Sequence, residues 1–196
     1  QWDPLWGAEQ EFDFLVTTER YRDDAETWYQ LAHVRAAMAP HNGSYVQVLS
    51  RASLVALDQV LARVIRHDRA HLLRGRVLGN PIFSEVYDPE AAAASFTTDL
   101  AITPAREESW VRLCDIRIGQ GRPEVPALVA QGLSVCPGSP KLLQMDGVVR
   151  QAMGDRDVRE RHLDIRHGLP FVLGLADRPL VLVKEGDGAD QRQVLC

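Results

Sequence analysis

The sequence predicts an all-α fold of about four antiparallel helix pairs stacked on one another. Apolar residues recur at helical spacing along most of the chain, and Gly or Pro punctuates the runs. The stretch from Glu108 to Gly168 also states one helix–turn–helix pattern and then begins it again. Ser109-Trp110-Val111-Arg112-Leu113-Cys114 opens that stretch and Gly119-Gln120-Gly121 turns it. Cys136-Pro137-Gly138-Ser139-Pro140 separates the two copies.

In chain order, residues 1–24 form an N-terminal arm and a short helix. Trp2 and Trp6 are too apolar to leave exposed, so the arm is expected to lie against the body. A short helix over Glu9 to Arg22 offers Phe12, Phe14, Leu15 and Tyr21. Asp23 and Asp24 then cap the next helix, whose spacing shows in Trp28, Leu31, Ala32 and Met38 before Pro40 and Gly43 end it. Tyr45 to Arg66 is longer, with a stripe of Val48, Leu49, Leu54, Leu57, Val60, Leu61, Val64 and Ile65.

His67-Asp68 breaks that helix, and the next carries Leu72, Leu73, Val77 and Leu78 up to Gly79-Asn80-Pro81. Pro81 to Asp88 lacks a helical period and reads as an inserted loop. Pro89 suits a first helical turn, where its missing amide costs nothing, and Phe96 and Leu100 anchor the helix that follows. Trp110, Leu113 and Cys114 share one helix face, and Leu128, Val129 and Leu133 share a face of its partner. A fourth pair is expected from Leu142, Met145, Val149 and Ala152, then a turn at Gly154, then Val158, His162, Ile165 and Leu169. The tail, 169–196, carries the β-branched run Pro179 to Val183 and the turn Gly186-Asp187-Gly188, and suits a short hairpin or an extended flap.

Aligned with itself, the chain shows Trp28 and Trp110 each opening a helix as W-x-x-L followed by a small residue, Ala32 or Cys114. Leu143 opens another, 33 residues after Trp110, with Gly147 in the small place. Trp110, Cys114, Gly121 and Pro137, then Leu143, Gly147 and Gly154, resemble the tetratricopeptide repeat (TPR) family. The resemblance spans 25–168 and implies a right-handed superhelix of paired helices. From Trp28 the next opening helix lies about 43 residues on, and Trp110 about 39 beyond that. Either Gly75 or Leu78 stands at the middle crossing, and Pro126 occupies a place where the family has alanine. A related array of helical hairpins is the alternative.

In such arrays the first helix of each pair lines a concave groove that holds a peptide or a partner helix. The resemblance puts Tyr29 and His33 there from the first pair, and Val111, Asp115 and Ile118 from the third. Gln144, Val148 and Gln151 come from the fourth. Members that clamp a C-terminal carboxylate use Lys and Asn on these helices; Val111 and Asp115 stand there instead, so no such clamp is expected.

Net charge is −5 and the pI about 5.7, which gives no electrostatic footprint for nucleic acid. No apolar run is long enough for a membrane helix. Cys114, Cys136 and Cys196 have no metal or disulfide spacing. His67 and His71 are four apart, but Asp68 marks a turn between them, so no metal is expected. Glu185, Asp187 and Asp190 are too few for a calcium loop. Phosphate-binding and nucleophile motifs are missing, so neither cofactor nor catalysis is expected. The sequence thus points to a soluble, non-catalytic scaffold that binds a protein or peptide, cytoplasmic or exported after loss of a signal peptide. The alternative is a structural subunit docked into a larger bacterial assembly through its apolar ends; a regulatory domain of an enzyme is third.

Overall fold

A computed structural model describes residues 4–167, with side chains as far as Gly154. Two compact units divide the chain, Gln1–Asp155 and Arg156–Cys196. Of the second unit, only helical residues 156–167 are described. The expected C-terminal hairpin and Trp2 lie outside the described residues.

Eight α-helices are present among the described residues: α1 (Pro4–Thr17), α2 (Ala25–Met38), α3 (Val46–Arg63), α4 (Ala70–Leu78), α5 (Pro89–Ile102), α6 (Glu107–Gly119), α7 (Val125–Val135) and α8 (Pro140–His167). Two short 3-10 turns, Ala39–His41 and Gly43–Tyr45, join α2 to α3. The local causes are visible. Asp24 accepts from the Thr27 amide at 2.9 Å to cap α2, and Asp88 accepts from the Ala91 amide at 2.9 Å to cap α5. Pro126 falls in the first turn of α7, where no amide is needed, which explains how proline fits there. Gly121, at φ 63°, makes the left-handed turn between α6 and α7.

From α1 to α7, each helix packs on its neighbours in the chain, so this part of the core is built of successive helix-on-helix contacts. One cluster joins α1 to α4 around Leu31, Met38, Leu57 and Val60; the other joins α4 to α8 around Phe96, Trp110, Val129 and Leu142. Leu54 touches both. Small residues mark the crossings. Ser53 on α3 donates to the Ala32 carbonyl on α2 at 2.8 Å, an approach that larger side chains would block. At Gly75 a Cβ would meet the fully buried Phe96 ring at 2.6 Å, so Gly75, and not Leu78, takes the middle crossing.

That assignment exposes the repeat. Trp28 Nε1 donates to the Arg22 carbonyl at 2.8 Å, and Trp110 Nε1 donates to the Pro104 carbonyl at 2.8 Å. His71, four residues before Gly75, lies with Nε2 at 2.8 Å from the Ile65 carbonyl. A carbonyl only accepts, so the imidazole carries its proton on Nε2. In all three, a ring N–H reaches the carbonyl six residues back, and a small residue follows four residues on. His71 is the third member of the series, in the tryptophan's place.

Several expectations are corrected. Leu143 is 53% exposed and is not a wedge, whereas Leu142 beside it is fully buried. Leu142 reaches the place where a Cβ on Gly132 would sit, alongside the Trp110 ring, and so docks α8 on α6 and α7. The expected turn at Gly154 does not form; α8 runs as one helix of 28 residues, so among the described residues Leu143 has no hairpin partner to wedge against. Val48, Val64 and Ile65 are exposed because α3 ends at Arg63 and buries the face of Leu49, Ala56, Leu57 and Val60. The first helix is α1, beginning at Pro4, so Leu5 and Trp6 pack on the body as its first turn; Val16 is buried and Phe14 exposed. Arg35 on α2 holds α1 in place through Glu9, at 2.9 Å, and Asp13.

Gly75→Leu is expected to lower stability by about 1–3 kcal/mol through overpacking against Phe96. Removing a helical glycine recovers only up to about 1 kcal/mol. The urea midpoint measures the balance, and a rise would show that the ring can yield.

Candidate functional site

Helices α2, α4 and α6 frame one hollow, of about 560 Å³, and α6 and α8 frame a second, of about 600 Å³. The two share Glu108, Arg112 and Asp115. At i, i+4 and i+7 these residues form one edge of α6, so together the hollows make a groove with α6 as its central ridge.

The first hollow is walled by Ala36, Ala37 and Pro40 and floored by the buried Phe83 and Phe96. Asn80, Pro81 and Phe83 come from the loop inserted between α4 and α5. The same insertion lengthens the repeat spacing. The second hollow has Val111 buried at its base and Ile118, Met145 and Val148 on its sides.

Charge is unevenly satisfied along the ridge. Arg76 Nε donates to Glu108 Oε1 at 2.7 Å, and Arg76 Nη2 contacts Glu108 Oε2. This fork holds the Glu108 carboxyl below its usual range and the Arg76 guanidinium above its own. Arg112 lies 3.9 Å from Glu108. Asp115 makes no hydrogen bond or ion pair with a described residue. Loss of water in the groove raises its carboxyl pKa, outweighing the pull of Arg112 and Lys141.

The expected groove residues separate by position. His33 and Asp115 line the first hollow; Val111, Asp115, Ile118, Gln144 and Val148 line the second. Tyr29 lines neither. It is buried, stacked 5.1 Å from His67 and 6.1 Å from His33, with Arg69 4.5 Å above its ring and Glu26 forked onto Arg69. Burial pushes its phenol above the ordinary range. Gln151 is exposed on α8 outside both hollows. Sequence reasoning missed Arg76, Glu108, Arg112, Lys141 and Met145. The seven-residue pattern of Glu108, Arg112 and Asp115 carried a signal for two of them, whereas Phe83 sits in an aperiodic loop that carried none.

Among the described residues, no group of three or more His, Cys, Asp or Glu is placed to hold a metal ion. His67 is committed to the Tyr29 stack and His71 to the Ile65 carbonyl. Cys114 is buried and its thiol is pushed up to about 11, so it stays protonated at neutral pH. No helix among the described residues is long and apolar enough to cross a membrane.

No protein-family model and no curated protein matches the sequence. Solved structures do match. A crystal structure of MamA superposes with TM-score 0.61 at 15% identity, over 78% of this chain and 81% of that one. A second, of MamA protein, gives TM-score 0.60 at 14% identity, over 89% and 90%. At such identity the likeness concerns the fold alone: an all-helical repeat architecture.

Proposed function

We propose that this chain is a non-catalytic interaction scaffold of the TPR kind, holding a segment of a partner protein in the groove across α2, α4, α6 and α8. The observation that supports this is the pair of contiguous hollows, each with apolar walls or floor, meeting at a charged ridge. An apolar interior with a few convergent polar groups is the usual composition of a binding site, and alternate helices of a repeat array present it at rigid spacing.

The test compares capture of the same partner by wild type and by variants. Ile118→Asp and Val148→Asp place charge in the second hollow, while Val55→Asp alters an exposed residue of α3 away from it. The groove variants are expected to lose at least about tenfold in affinity, and Val55→Asp to lose little. The opposite ranking would move the binding face elsewhere.

A second reading is a subunit of a larger assembly. Exposed Leu143 and Met153 on α8 favour it, whereas Trp6, near the apolar N-terminal end, packs against the chain's own core. Leu143→Asp combined with Met153→Asp would then abolish assembly and leave peptide capture intact.

A further inference from the structure

We propose that Gln47, on α3 and outside both hollows, is a positioning residue for the first of them: its amide holds the inserted loop so that Asn80, Pro81 and Phe83 stand in the lining. This rests on the groove reading above and adds to that site a residue from a helix that lines neither hollow.

The Gln47 amide grips the loop on both sides of Phe83. Its Nε2 donates to the Ile82 carbonyl at 3.3 Å and to Ser84 Oγ at 3.1 Å, and its Oε1 accepts from the Glu85 amide at 3.2 Å. A carbonyl only accepts and a backbone N–H only donates, so neither a flipped amide nor a carboxylate could make both backbone contacts. Inside the loop, Asn80 Oδ1 accepts from the Ile82 amide at 3.1 Å. The Asn80 carbonyl accepts from the Phe83 amide at 3.0 Å, and the Phe83 carbonyl from the Val86 amide at 2.9 Å. Those bonds shape the loop without attaching it. Among the described residues, the hydrogen bonds that join the backbone of residues 81–87 to another helix all come from Gln47.

Other contacts fix the loop less closely. Phe83 is buried and joins the core of α1 to α4, but burial is non-directional and tolerates a loop that has turned or slid. Hydrogen bonds are directional, and these two bracket the buried ring. The Arg51–Glu85 ion pair is exposed on both sides and contributes little. Pro81 and Phe83 are the immediate neighbours of Ile82 and Asn80 is one residue further, so an anchor on the Ile82 carbonyl sets all three lining residues together.

Hydrogen exchange followed by NMR on the full chain tests the clamp. In Gln47→Ala the Phe83 and Val86 amides, whose bonds do not involve Gln47, are expected to exchange about fivefold or more faster. The urea midpoint should stay close to wild type. Gln47→Glu has the same size but no hydrogen for the Ile82 carbonyl, so it should speed both amides as well. Peptides selected on the full chain from a random phage library test the consequence. First-hollow peptides are those lost on Ala37→Glu, and second-hollow peptides those lost on Val148→Asp. The first class should bind both Gln47 variants about threefold or more weaker, and the second class should bind them as it binds wild type. Wild-type exchange in Gln47→Ala, undiminished affinity for first-hollow peptides, or rescue by Gln47→Glu overturns the inference while the groove reading survives. A selection that yields no first-hollow peptide counts against the groove reading itself, and the exchange rates then decide alone whether Gln47 sets the loop.

Discussion

Asp99→Ala should lower stability by about 3–5 kcal/mol, the cost of removing one member of a buried charged pair. Asp99 is fully buried on α5. Its Oδ1 accepts from Arg106 Nη1 at 2.9 Å and its Oδ2 from Ser109 Oγ at 2.5 Å. Those two bonds tie the end of α5 to the start of α6. Alanine would leave a half-buried guanidinium and a fully buried hydroxyl without their acceptor. Asp99→Asn keeps the shape but exchanges an acceptor for a donor, so about 1–3 kcal/mol is expected.

The two variants also separate by pH. Burial raises the Asp99 carboxyl pKa, against the hydrogen bond from Ser109 and the charge of Arg106. The folded chain therefore holds this proton more tightly than the unfolded chain does. The contribution is fully present below the ordinary aspartate value of about 3.9 and declines as pH rises through the folded value. Wild type should lose stability relative to Asp99→Asn over that window, because asparagine does not titrate. Parallel urea midpoints for the two proteins from mildly acidic to neutral pH would contradict it. The residue remains indispensable even so: its charge is costly there, but two partners are built around its oxygens.

Trp110→Ala carries the second large effect, about 3–5 kcal/mol. The indole is buried, donates to the Pro104 carbonyl, and fills the space between Gly132 on α7 and Leu142 on α8. Leu143→Ala, at the matching place in the next unit by sequence, should stay within about 0.5–1 kcal/mol because its side chain is exposed. Chemical denaturation of the two variants measures the contrast. Equal losses would mean that Leu143 packs as a wedge after all.

That contrast shows where sequence reading reached its limit. Trp28 and Trp110 were legible as equivalents because they are the same residue in the same local pattern, whereas His71 was hidden. What His71 shares with them is a ring N–H that reaches a carbonyl six residues back. A comparison of residue types cannot see a shared hydrogen bond. Leu142 and Leu143 differ by about 100° around one helix, and both satisfy an apolar pattern. Only the presence of Gly132 and Trp110 on one side decides which is buried.

The groove divides the same way. Val111, Asp115, Ile118, Gln144 and Val148 followed from helical phase once the repeat was recognised, and they do line a hollow. Tyr29 obeys the same phase but lies beneath Arg69, which comes from the turn before α4. Phe83 enters from the inserted loop, whose path no periodicity describes.

By itself the sequence determined where several helices start and where α6 turns into α7, because caps such as Asp24 and Asp88, prolines at first turns and a left-handed Gly121 act within a few residues of chain. It also determined that α2 pairs with α3, α4 with α5 and α6 with α7. Tertiary structure alone decided that α8 would run on without a turn, that an imidazole would stand in for an indole, and that Asp115 would sit between two hollows with no partner among the described residues. Each of those outcomes depends on atoms brought together from separate segments of the chain, and their neighbours exist only once the helices pack.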